Sequence, residues 1–222
     1  MSTVLIAHPS ADVYGSDLQL LETVTAFREA GHEVTVVLPS SGPLVDLLDL
    51  RGASVKFLEF PILRKNLLSL RGLLTLARDT VSSAPGIWRE IRNTPNLHAV
   101  WINTITMPCW FLLSRLAGKR TLTHVHEAEN DGPRWALWGL AAPTVLAHRI
   151  VTNSAAAAES LTGIFPFLHK KISVVHNGMS GPDVPPSPPR ARAAADPATI
   201  ALIGRLSPRK GIDIALEAVA LL

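Results

Sequence analysis

The stretch "THVHEAEND" places two histidines and a carboxylate at the end of an apolar run, a set that can do chemistry. Alternate residues of a strand share a face, so His124 and His126 lie together, with His126 and Glu127 at the carboxyl edge. Such a pair can hold a polar ligand or move a proton; a purely structural edge histidine is the alternative. H-x-H also suits zinc. However, His8 and His176, the other available ligands, stand at no metal-like spacing, and no metal is expected.

A second set is "IGRLSPRKG", where Arg205 and Lys210 stand between Gly204 and Gly211 ahead of a helical run. Arginine offers a two-pronged donor to phosphate oxygens, lysine a point charge, and the helix start a further positive potential. Together they suit a diphosphate, and the spacing is not that of a Walker A loop. The plainer reading is a solvated basic turn. A third set is "HPSADVYGSD", where Gly15 lets backbone approach a ligand and the Ser16 amide opens a helix. It holds one glycine and lacks G-x-G-x-x-G, so taken alone an ordinary strand-to-helix turn is the plainer reading.

The elements that must position these residues alternate along the chain. Short runs rich in Val, Ile and Leu at 4–7, 33–38, 54–58, 99–103, 122–126, 150–152, 172–175 and 200–203 read as parallel strands buried on both faces. Helical patterns lie between them. Ser16 is expected to cap the first, with Gln19 completing a capping box and Gly31 ending it. Others run from near Pro43 to Gly52, from near Pro108 to Gly118, and from a Ser154 cap. This alternation predicts an α/β fold, a doubly wound, mostly parallel Rossmann-like sheet. Residues 181–197 contain six prolines in 17 positions and read as an extended linker. The expected organisation is one domain over 1–180, a linker over 181–198, and the first strand–helix unit of a second domain over 199–222.

The chain has 222 residues, 47% hydrophobic and 18% charged, which excludes a disordered chain. Its net charge of +3 gives no argument for nucleic acid. Single Cys109 excludes an internal disulfide, and "MSTVLIAHPS" is no signal peptide, so a cytoplasmic protein is expected. Arg64, Lys65, Arg71, Arg78, Arg89 and Arg92 crowd one leucine-rich stretch that opposes them with Asp79 and Glu90. That stretch reads either as a peripheral element drawn to anionic lipid or as a helix pair covering the sheet. Trp135 and Trp138 read as core or cleft lining.

Four segments, in order, resemble the GT-B glycosyltransferases of family GT4. "YGSDLQLLETVTAF" is similar to the family's glycine turn and first helix, and "HVHE" to its His-Asp/Glu strand end. "RIVTNSAAAAESL" with "ISVVHNGMS" resembles the close of its N-terminal domain. "IALIGRLSPRKGIDIALEAVALL" resembles the G-R-L-x-x-x-K-G signature that opens its nucleotide-binding domain. The resemblance implies two Rossmann-like domains across a cleft and a retaining transfer from a nucleotide-diphosphate sugar to a glycan or lipid-linked acceptor, in surface polysaccharide or glycolipid assembly, with no metal or other cofactor. It implies that Arg205 and Lys210 bind the donor diphosphate, with Gly15 and Ser16 on the opposite lip. It places His126 and Glu127 at the donor sugar as the catalytic pair, and Tyr14, Asn153 and Asn177 around the acceptor or cleft.

Two departures qualify this. Gly15-Ser16 stands where the family has two glycines, and the family's E-x7-E region is not in the sequence. An incomplete, inactive form is therefore expected, with the missing part supplied by a longer chain or a partner. The alternatives are a non-catalytic acceptor- or lipid-binding half of a split transferase, and a GT-B sugar-nucleotide epimerase. The final helix would leave Ile212, Leu216, Val219 and Leu222 in water, so a homo-oligomer is expected.

Overall fold

A computed structural model of the chain describes residues 1–63, 70–127, 132–178, 200–204, 206 and 210–221. The chain divides into two compact units, Met1–Met179 and Ser180–Leu222. Arg64, Lys65, Arg205, Leu222 and the proline-rich 181–198 lie outside the described residues.

In the first unit, seven strands form one parallel sheet: β1 (Thr3–Ala7), β2 (Glu33–Leu38), β3 (Ser54–Phe57), β4 (Leu97–Ile102), β5 (Arg120–Val125), β6 (Arg149–Thr152) and β7 (Ile172–Val174). Their order is β3-β2-β1-β4-β5-β6-β7. The helices are α1 (Gly15–Glu29), α2 (Leu44–Leu50), α3 (Leu70–Asn93), α4 (Pro108–Leu116), α5 (Arg134–Ala141) and α6 (Ala155–Ile164). This is the expected α/β, Rossmann-like architecture.

The apolar runs are continuous because the sheet is covered on both faces. Val4, Ile6, Val34, Val36, Leu38 and Trp101 join one core with Leu20, Leu21 and Val24 of α1 and Leu44 and Leu48 of α2. Leu5, Ala7, Val37, Val100 and Ile102 join the other with Ile87 and Ile91 of α3 and Trp110 and Phe111 of α4. Strand alternation therefore points Val4 and Ile6 of β1 and Trp101 of β4 at α1.

Three expectations for the first unit are corrected. Ser16 does not cap α1. Tyr14 is the cap residue, and its N–H donates to Asp17 Oδ2 at 2.8 Å. An ionised carboxylate at the helix start accepts more strongly than a hydroxyl, and the helix potential favours it. The basic stretch is not a helix pair from Leu70 onward: α3 continues through Pro85 as one helix of 24 residues. Its later half is anchored by fully buried Ile87 and Ile91, while Leu74 and Val81 upstream are 65% and 73% exposed. Trp135, 59% exposed, is not core, because Ala141 is the buried residue of α5. Trp138 lies edge-on to Phe165 at 5.0 Å and lines a groove between α5 and α6.

In the second unit, Ile200–Ile203 does not form the expected strand. A strand persists through its ladder to a neighbour, and this segment has none among the described residues. Helix α7 (Ile212–Ala220) follows Gly211, whose φ of +61° sets the left-handed turn that glycine accepts readily. No residue of α7 is buried.

Candidate functional site

The strand order reverses between β1 and β4, so the connections after them leave on opposite faces and open a crevice at their carboxyl ends. The residues that follow the strands there are polar. His8 follows β1, Asn103 and Thr104 follow β4, His126 and Glu127 follow β5, Asn153 follows β6, and Asn177 lies beyond β7.

Several of these join in one network. His8, fully buried, approaches Asp17 Oδ1 through Nε2 at 2.7 Å, and its Nδ1 meets the Asn103 amide nitrogen at 2.9 Å. Asn103 Oδ1 lies 3.3 Å from His126 Nε2 and accepts from the Trp101 indole N–H at 3.3 Å. Asp17 also accepts from the Ser10 hydroxyl at 3.0 Å and the Ser16 hydroxyl at 3.4 Å. Burial alone would raise the Asp17 carboxyl, but the hydrogen bonds from His8 and the Tyr14 N–H hold it below the usual range.

Glu127 is held at both oxygens. Thr104 Oγ1 donates to Oε1 at 2.6 Å, and the His126 N–H donates to Oε2 at 3.1 Å. Asn153 Nδ2 donates to the His126 carbonyl at 3.4 Å. The His124 and His126 rings lie 4.0 Å apart, as strand alternation requires. Burial pushes His124 down to about 4. Burial and then the charge of His124 push His126 down to about 3. Both rings are therefore neutral near pH 7.

The structure thus brings His126, Glu127 and Asn153 into contact, with Ser16 reaching the same network through Asp17. Gly15 opens α1, and a Cβ there would meet nothing within 4 Å. Tyr14 is 51% exposed, and Asn177 is exposed. In the second unit Lys210 is exposed, and its Cγ lies 3.8 Å from where a Cβ on Gly204 would stand. Sequence reasoning missed Asp17, Asn103 and Thr104 and gave His8 no part. The available signal was a polar residue closing each apolar run, "VLIAH" and "AVWIN".

Beside this network lies a cavity of about 930 Å³ at the carboxyl ends of β1, β2 and β3. Asp12, Glu59, Asp79 and five serines contribute to its lining. Among the described residues no group of three or more His, Cys, Asp or Glu could hold a metal ion. Also among the described residues, no helix is long and apolar enough to cross a membrane.

An open parallel sheet with its polar residues gathered at the carboxyl edge is the Rossmann-like architecture of the GT-B glycosyltransferases. The family model Glycosyltransferase Family 4 matches residues 14–180, and the chain belongs to that family. No curated protein sequence matches it. Among solved structures, Alr3699/HepE of Anabaena, in complex with UDP and glucose, is 16% identical with a TM-score of 0.59. The match covers 81% of this chain and 45% of that one. A glycosyltransferase from Rickettsia africae ESF-5 is 18% identical with a TM-score of 0.58, over 79% of this chain and 42% of that one. A UDP-N-acetylglucosamine 2-epimerase, so assigned in Listeria monocytogenes, is 14% identical with a TM-score of 0.54, over 77% and 44%. The chain therefore spans less than half the length of these structures.

Proposed function

We propose that this chain serves a retaining glycosyltransferase that moves a sugar from a nucleotide-diphosphate donor to a hydroxyl of a glycan or lipid-linked acceptor. The observation that carries this reading is the family match over residues 14–180, the span that holds His126, Glu127 and most of the polar crevice. The UDP and glucose of the HepE complex support the donor class.

In this reading Arg205 and Lys210 grip the diphosphate and offset the charge that develops on it as the sugar departs, so no metal is required. Gly15 and Ser16 also bind the diphosphate, and a Cβ on Gly15 would meet nothing within 4 Å. His126 and Glu127 meet the donor sugar, with Asn153 fixing the His126 carbonyl. Tyr14 and Asn177 border the acceptor. The cavity lined by carboxylates and serines suits a hydroxyl-rich acceptor, because both groups accept hydrogen bonds and serine also donates them.

The setting proposed is cytoplasmic surface polysaccharide or glycolipid assembly. The exposed Leu74 and Val81, on a helix that also carries Arg78, support peripheral contact with an anionic membrane face. The unburied α7 supports pairing with a second copy.

The test is a panel of nucleotide-diphosphate sugars titrated against the full-length protein, with Arg205→Ala and Lys210→Ala alongside. Each substitution is expected to cost about 1.5–3 kcal/mol of donor binding, roughly tenfold to a hundredfold. Losses well below tenfold would reduce the turn to a solvated loop. Product analysis with donor alone separates a transferase from an epimerase, since the fold is common to both.

A further inference from the structure

The Asn103 side chain lies between three groups whose chemistry fixes its orientation. The Trp101 indole nitrogen can only donate, so the Asn103 atom 3.3 Å from it is the amide oxygen. The amide nitrogen then faces His8 Nδ1 at 2.9 Å, which must accept. With Nδ1 bare, the His8 proton sits on Nε2 and is donated to Asp17 Oδ1 at 2.7 Å. The same amide oxygen faces His126 Nε2 at 3.3 Å, so that nitrogen carries a proton as well. On a neutral ring the Nδ1 of His126 is then a lone pair, and this atom is buried with no hydrogen-bond partner.

We propose that Asp17, His8 and Asn103 are positioning residues that hold His126 as its Nε2–H tautomer, leaving Nδ1 as an acceptor for a ligand hydroxyl. The functional part of this rests on the reading of the crevice as a donor-sugar site. A buried acceptor without a donor is costly, and a sugar hydroxyl that reaches it removes that cost. His126 then has no proton to give at Nδ1 and acts by orienting the sugar, not as an acid. The low value of His126, about 3, agrees with a neutral ring.

The experiment is nitrogen NMR of the histidine rings in the full-length protein near neutral pH, free and with UDP-glucose as probe. The expected wild-type spectrum shows His126 and His8 both protonated at Nε2 alone. Asn103→Asp puts an oxygen where His8 Nδ1 needs a donor, so His8 should take a second proton while His126 keeps its tautomer. Asn103→Leu removes the acceptor at His126 Nε2, so the two His126 tautomers should mix. The apparent affinity for UDP-glucose should then fall about tenfold, the scale of one misplaced hydrogen bond. Should Asn103→Leu fail to fold, the nearly isosteric Asn103→Asp still decides, since an unchanged His8 overturns the relay. A wild-type proton on His126 Nδ1 overturns it too. Tautomers as assigned with no UDP-glucose binding would support the relay while removing the donor-sugar reading. Binding with the proton on Nδ1 would remove the relay and leave that reading in place.

Discussion

At the carboxyl edge of the sheet, His8 and Asp17 are at most 1% exposed, and the side-chain polar atoms of Asp17, His8 and Asn103 all face partners. In the second unit Lys210 is exposed, its stem lying near Gly204. In the first arrangement the Asp17, His8 and Asn103 side chains hold one another in place through these hydrogen bonds. The second keeps its charge in water, where it can reach an anion. The contrast teaches that geometry and charge are assigned to different parts of the chain. Damage to the first should show as lost stability, and damage to the second as lost binding.

Of the substitutions, His8→Ala should break this contrast most strongly. It strips a hydrogen bond from the buried Asp17 carboxylate and opens a cavity, and should cost about 3 kcal/mol in chemical denaturation. A cost below about 1 kcal/mol would show that water replaces the ring.

Acid should act on the same region. The folded values of His124 and His126, about 4 and about 3, lie below the ordinary 6.5. The unfolded chain therefore binds more protons below about pH 6.5, and stability falls as pH drops from there toward the folded values. The loss by about pH 4.5 should be on the order of 2.5 kcal/mol for each ring, about 5 kcal/mol for the two together. Lowered Asp17 adds to it as pH falls further, because protonation removes its role as acceptor. His124→Gln should flatten the slope of melting temperature against pH, and an unchanged slope would assign the acid sensitivity elsewhere.

Lys210→Ala should move stability by about 0.5 kcal/mol or less, as expected of an exposed side chain. Its effect should appear in donor titration. A large stability loss would place Lys210 in a packed structure and erase the contrast.

The smallest effect separates two glycines. A Cβ on Gly42 would lie 2.5 Å from the Ala11 carbonyl oxygen, whereas one on Gly15 meets nothing. Gly15→Ala should leave the melting temperature nearly unchanged, while Gly42→Ala lowers it. Equal shifts would remove open space as a reason for glycine at position 15.

Most strands were legible as short runs rich in Val, Ile and Leu, and the helix ends at Gly31, Gly52 and Gly118 because each has a positive φ. Ser154 was legible as a cap, since its hydroxyl accepts from the Ala157 N–H three residues away, a contact local in sequence. The α1 cap was not. Ser16 and Gln19 fit a local pattern, but Asp17 gains partners from β1 and the Tyr14 N–H together. His126 and Glu127 were found because they stand side by side. His8 and Asn103 were not, because their contact depends on β1 pairing with β4, where Ala7 aligns with Ile102.

That pairing also sets when the site can exist. His8 and Asn103 stand 95 positions apart, and the ring meets the amide only once β4 has docked beside β1. Closing so long a loop is entropically slow, and a chain emerging from the ribosome has β1, α1 and β2 in hand well before β4. Asp17 and His8 must wait through that interval without Asn103, so crevice assembly reports completion of the central sheet.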